Sequence, residues 1–341
     1  MARAYEQYGP PDVIDTVKLW MVPSSPMFLA RHARHFLAST FIALLASLTP
    51  LLCVIAEAGD PIPVVVTIPV LKDLTEQIGR SHVRVTSLLN GYENEHTYSP
   101  KPSDLVAVRK ARLLFEIGLG LEVWVSSLVK NAGGPSLRVI TTSQGVQLIH
   151  DNSDHHDHAP LHPAEQEADV GANPHIWLDP ENIRIILRHI TDALIASDPA
   201  HTADFLANQA IYLQQLGRLQ KELSDRIKPL TDRRFIAHHP AWPYLAKRFS
   251  FEVVGTIQTQ SGSEPSALHL QSLIDSVKKN RVKLIVSEVQ LSQRLPELLS
   301  NETKARVVIL TTLPGGLPGT ETYLDMLRYN VLQLVNALEA A

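Results

Sequence analysis

The stretch "SDPAHTADFLANQAIYLQQLGRLQKELSDRIKPL" (197–230) decides how the chain is organised. Ser197 or Asp198 can cap a helix here, and Pro199 suits a first helical turn, where its missing N–H costs nothing. Phe205, Tyr212, Leu216, Leu219, Leu223 and Ile227 recur near the 3.6-residue period, and Pro229 ends the pattern. One helix of roughly 30 residues, about 45 Å long, is expected. Four β-rich runs precede it: 63–69, 83–89, 112–118 and 137–142. Four more follow: 234–237, 251–257, 282–289 and 305–310. Helical patterns alternate with them, for example at 101–111, 121–130, 264–280 and 320–340. Strands alternating with helices imply α/β units built on parallel sheets. The predicted fold is therefore α/β: two lobes, each a mainly parallel sheet flanked by helices, joined by one long rigid helix. The expected divisions are 59–196, 197–230 and 231–341, after an N-terminal segment 1–58.

That N-terminal segment has its own pattern. Arg31 and Arg34 precede an apolar run from Phe36 to Ile55, and Ala56-Glu57-Ala58 follows. This is the basic, apolar and small-x-small order of a cleaved secretory signal, with Met27 as an alternative start of translation. An uncleaved anchor is the alternative, since the run nearly reaches the ~20 residues that span a bilayer. Leu52 before the single cysteine, Cys53, is too large for the usual lipidation box. Cleavage after Ala58 would leave a cysteine-free protein outside the cytoplasm. The formal charge is −4, and it stays −4 without 1–58, which holds four basic and four acidic residues. A net acidic chain argues against a nucleic-acid partner. One cysteine excludes an internal disulfide and a cysteine-based zinc cage.

Histidine carries the chemistry. His96 lies in the segment after the strand ending near Leu89, and His239 directly follows the strand 234–237. In open α/β sheets, ligands bind at the carboxyl ends of strands. His175, in "GANPHIWLDPEN" (171–182), lies before the helix starting near Asp179, with Trp177 expected to pack beneath it. Neutral imidazole is the commonest metal-ligating side chain, and zinc accepts three with one further group. The three are 79 and 64 residues apart, and no compact zinc motif such as H-E-x-x-H occurs. His82, His189, His201 and His269 are read as solvated or capping. The tract 150–169 carries His150, His155, His156, His158 and His162 among acidic residues; it is read as a loop and a weak metal collector.

Four motifs occur in order around the long helix: "NEHTYSPKPSD" (94–104), "NPHIWLDPEN" (173–182), "HHPAWPYLAKRF" (238–249) and "GTETYLDMLRYN" (319–330). Together they resemble the cluster A-I receptors of bacterial zinc and manganese ABC importers, over residues 60–341. The resemblance implies two α/β lobes, a spanning helix and a metal in the cleft, held by His96, His175 and His239. His238 is the neighbour that competes with His239 for the third place. Manganese members tend to carry a carboxylate there, so the histidine favours Zn²⁺. Where the family often has an aspartate, this chain has Thr312, a poor zinc ligand. Glu95 or water is the expected fourth ligand, and Glu288 is expected to orient an imidazole rather than bind metal.

The implied function is a monomeric periplasmic zinc receptor that hands Zn²⁺ to an inner-membrane ABC permease. Ordinary imidazoles would lose the metal below about pH 6.5. A manganese or iron receptor and an adhesin of the same fold stay open. So does a three-histidine zinc hydrolase, although no nucleophile motif or substrate signature is present.

Overall fold

The computed structural model describes residues 60–150, 171–260 and 262–340. The signal-like segment 1–58 and the tract residues His155, His156, His158 and His162 lie outside them. The first sheet comprises β1 (Ile62–Val66), β2 (Val83–Ser87), β3 (Leu113–Glu116) and β4 (Arg138–Thr141). The second comprises β5 (Arg234–Ala237), β6 (Glu252–Thr256), β7 (Leu284–Glu288) and β8 (Arg306–Leu310). Both are parallel throughout and share one order, β2-β1-β3-β4 and β6-β5-β7-β8. Parallel strands need crossovers, and helices supply them. In the first lobe these are α1 (Pro69–Gly79), α2 (Pro102–Lys110) and α3 (Val125–Ala132). In the second they are α6 (Pro243–Phe249), α7 (Ala267–Asn280) and α8 (Arg294–Thr303). Central strands covered on both faces read as near-continuous apolar runs. β1 (IPVVV) and β7 (LIVSE) have that character and are almost wholly buried.

Between the sheets run α4 (Pro180–Ser197) and the long helix α5 (Thr202–Ile227); α9 (Tyr323–Glu339) closes the chain. The long helix starts later than its sequence pattern suggests. Pro199 disfavours a helical residue before it, and Asp198 is indeed non-helical, with φ −145° and ψ 77°. α4 therefore stops at Ser197, a single 3₁₀ turn spans Pro199–His201, and α5 begins at Thr202. Its 26 residues span about 39 Å. The six apolar positions of its sequence period are its buried residues. They join one core cluster that runs from β1 and β3 through α4 and α5 to α9 and β8. A smaller cluster lies between β5, β7, α7 and α8.

The two lobes are also tied by polar contacts. The Tyr323 N–H donates to Asp73 of α1 (2.8 Å), and the Tyr323 hydroxyl donates to the Trp177 carbonyl (2.9 Å). Gly91 crosses the backbone of Gly315 so closely that a Cβ would lie 2.4 Å from it, so only glycine fits. Asp179 has two tasks: it caps α4 through the Glu181 N–H (2.8 Å) and takes Arg248 of α6 as a bidentate partner (2.6 and 2.9 Å). Asp179→Ala removes a cap and leaves the exposed Arg248 guanidinium without its bidentate partner. A loss of about 1–3 kcal/mol is expected in urea unfolding.

Candidate metal centre

His239 is placed by β5. Its neighbour His238 continues the strand direction, donating its backbone N–H to Val286 of β7 (2.8 Å). Successive side chains of an extended chain point to opposite sides, so only one of the pair can face the cleft. His238 turns to Ser287 (Nδ1 to Oγ 2.9 Å), and His239 turns to His175, with their Nε2 atoms 3.4 Å apart.

His175 is held by its own loop. Asn173 Oδ1 accepts from the His175 backbone N–H (3.1 Å) and lies 3.0 Å from its Nδ1. That carbonyl oxygen can only accept, so Nδ1 carries the proton and Nε2 keeps its lone pair. Asn173 is itself anchored across the cleft, donating to the Pro240 carbonyl (2.5 Å). Tyr244 donates to the Asn173 carbonyl (3.0 Å). Trp177 packs against the His175 ring, with centroids 5.3 Å apart, and donates to the Thr312 carbonyl (2.8 Å).

His96 comes from the loop after β2. Asn94 accepts its backbone N–H (2.9 Å), and Tyr98 and Lys101 fasten the loop to Asp104 at the start of α2, each at 2.6 Å. Its Nε2 lies 3.0 Å from that of His175. One nitrogen from each of His96, His175 and His239 lies within 4.8 Å of the other two. Tetrahedral zinc with Zn–N near 2.05 Å requires N···N separations of about 3.3 Å, close to the two short distances here.

Two carboxylates border the rings from opposite sides. Glu95 lies 3.9 Å from His175 Nε2, is 2% exposed, and accepts from the Thr312 hydroxyl (3.2 Å). Thr312 thus reaches the site through Glu95. Glu288 lies on the far side of His239, 3.2 Å from its Nδ1, and also accepts from the Trp242 indole N–H. A carboxylate on Nδ1 directs the Nε2 lone pair inward and raises its basicity. Glu288→Gln keeps the shape and loses the charge. It is expected to weaken metal binding about 10–100-fold, read by chelator competition.

Burial sets the protonation. Loss of hydration lowers the His96 pKa to about 3, helped by repulsion from His239. Loss of hydration also holds His175 well below the imidazole range, with His96 and His239 adding to it. Glu95 is pushed up by burial, against attraction to His239. Burial in the cleft disfavours protons on His96 and His175 and negative charge on Glu95, and an entering cation reverses the second effect. This corrects the pH window drawn from ordinary imidazoles: proton competition at these two rings starts well below pH 6.5. Of the tract, only His150 lies among the described residues; it is exposed and bridges Ala172 through the backbone.

Sequence reasoning missed Asn173, Trp242 and Tyr244. Asn173 had a usable signal, since a side-chain amide two residues before a histidine can bond its ring. The other two depend on the fold alone.

Two parallel-sheet lobes with imidazoles converging at their strand ends are the architecture of the solute-binding receptors that serve metal ABC importers. The chain belongs to the ZnuA family, zinc-uptake complex component A periplasmic, which it matches over residues 64–337. It is similar to a crystal structure of a ZnuA deletion mutant with zinc bound, at 31% identity and a TM-score of 0.71, over 82% of this chain and 98% of that one. The manganese-binding lipoprotein MntA of Halalkalibacterium halodurans is 29% identical over 288 residues, 83% of this chain and 90% of that protein. The high-affinity zinc uptake system protein ZnuA of Brucella abortus (strain 2308) is 27% identical over 333 residues, 89% of this chain and 96% of that protein. The chain is thus a metal-binding receptor for ABC uptake and not an enzyme, which sets the hydrolase reading aside.

Proposed function

We propose that the chain is a zinc receptor in which His96, His175 and His239 hold the ion and Glu95 supplies the fourth donor. The observation that carries this reading is the buried convergence of three imidazoles, with histidine where a harder ion would be served by a carboxylate. Imidazole suits zinc, whereas manganese is better served by carboxylate, carbonyl and water. Zn²⁺ is the cargo and arrives from the periplasm after a signal ending near Ala58 is removed. The receptor works as a monomer, with lobes 59–196 and 231–341 about the connecting helix 197–230, and passes Zn²⁺ to the membrane permease of its importer. The tract 150–169 collects zinc weakly.

The polar ties between the lobes limit hinge motion, so exchange proceeds by shifts of the ligand loops. A chain lacking 1–58 should bind zinc far more tightly than manganese in direct competition. Equal retention of both ions would make the manganese reading the better one.

A further inference from the structure

A second group of metal-ligating side chains lies at the other end of the first lobe. His96 follows the carboxyl end of β2, whereas His82 immediately precedes its amino end. The strand between them is five residues long, about 17 Å. There His82 meets His201, in the turn before α5, and Asp204, in the first turn of α5. One ligand atom from each lies within 4.8 Å of the other two.

The two rings are 3.9 Å apart between centroids and tilted by 31°, and Phe205 meets the edge of His82 from beneath. The His82 Nε2 is 3.6 Å from Asp204 Oδ2. Asp198 lies 2.6 Å from the His201 Nδ1. A carboxylate on Nδ1 selects the tautomer whose Nε2 lone pair faces outward, as at many metal-bound histidines. Both rings are partly covered, with side chains 25% and 30% exposed, so packing holds them rather than solvent. The start of a helix repels cations through its dipole, and Asp198 and Asp204 offset that with two negative charges.

We propose that His82, His201 and Asp204 form a second binding site for a divalent transition-metal ion, Zn²⁺ being the natural occupant, independent of the cleft. Two imidazoles and one carboxylate suit zinc, copper or nickel and not calcium or magnesium, which require oxygen donors. Three protein ligands and partial exposure leave one coordination position to water. An ion bound there would cross-link the entry of β2 to the start of the long helix, segments more than a hundred residues apart in sequence.

The test is equilibrium dialysis of the full chain against zinc, counting bound ions. It compares the parent, His82→Ala, His201→Ala and Asp204→Asn, each also made in a background lacking His96, His175 and His239. The tract 150–169 is intact in every variant, so its contribution cancels. Each alanine variant should bind one ion fewer per chain in both backgrounds. Asp204→Asn, which keeps its shape on an exposed side chain, should weaken that ion at least about 10-fold. Circular dichroism checks that each variant is folded. An unchanged count in all three variants overturns the proposal while leaving the cleft reading intact. A count unmoved by the three cleft substitutions overturns the cleft reading instead.

Discussion

Replacing His175 by alanine is expected to lower zinc affinity by at least about 100-fold, more than loss of an outer-shell partner costs. His175 is the hub of the cluster: its Nε2 is 3.0 Å from that of His96 and 3.4 Å from that of His239. Without it the remaining rings have no common neighbour, and their centroids are 6.0 Å apart. Glu95 also loses a site nitrogen 3.9 Å away. Alanine leaves a cavity above Trp177, so some stability is lost as well. Chelator competition on protein shown to be folded by circular dichroism separates the two effects. His238→Ala is the matched control: it removes an equally buried ring one residue from His239 that faces Ser287, and zinc affinity should be nearly unchanged. Near-equal losses in the two variants would remove the cleft cluster as the binding site.

Much of this was legible in the sequence because it rests on local periodicity. All eight strands appear as β-rich runs, most plainly the central β1, β3, β5 and β7, which are covered on both faces. The buried stripe of the long helix is visible for the same reason. The three histidines were legible from strand ends and from motif order. The start of that helix is not legible: Ser197 and Asp198 look like caps, yet the restriction Pro199 places on its predecessor ends one helix before the next begins. The link from Thr312 to Glu95 spans 217 residues, and nothing in either local sequence announces it. His82 and His201 look solvated or capping for a similar reason. Each is unremarkable alone, and only the packing of α5 beside β2 brings them together. Periodicity tells which face is buried, and the fold alone decides which polar groups meet across it.

Acidification separates folding from metal exchange. In the zinc-free protein the folded His96 takes a proton only near pH 3, whereas an unfolded imidazole does so near 6.5. Between those values the unfolded state binds more protons, so stability falls as pH drops through that window. At pH 4 the His96 contribution alone is on the order of 3 kcal/mol of lost stability. Glu122 works in the opposite direction. Burial raises it to about 7, so its contribution is fully present below pH 4.5 and fades as pH rises towards 7. The histidine share is therefore isolated by difference: urea unfolding of zinc-free parent and of His96→Gln, each at pH 7 and pH 4, should show a clearly smaller acid loss in the variant. Zinc affinity of the folded protein follows the same logic. Three imidazoles titrating at 6.5 would cost about 10⁴-fold in affinity between pH 7 and pH 5. Burial holds His96 and His175 neutral, so at most two groups of the site, His239 and Glu95, are left to compete with the ion, and the loss should fall well short of that figure. A 10⁴-fold loss at pH 5 from protein that circular dichroism shows to be folded would mean that the rings are hydrated, and that the cleft is far more open than their burial here implies.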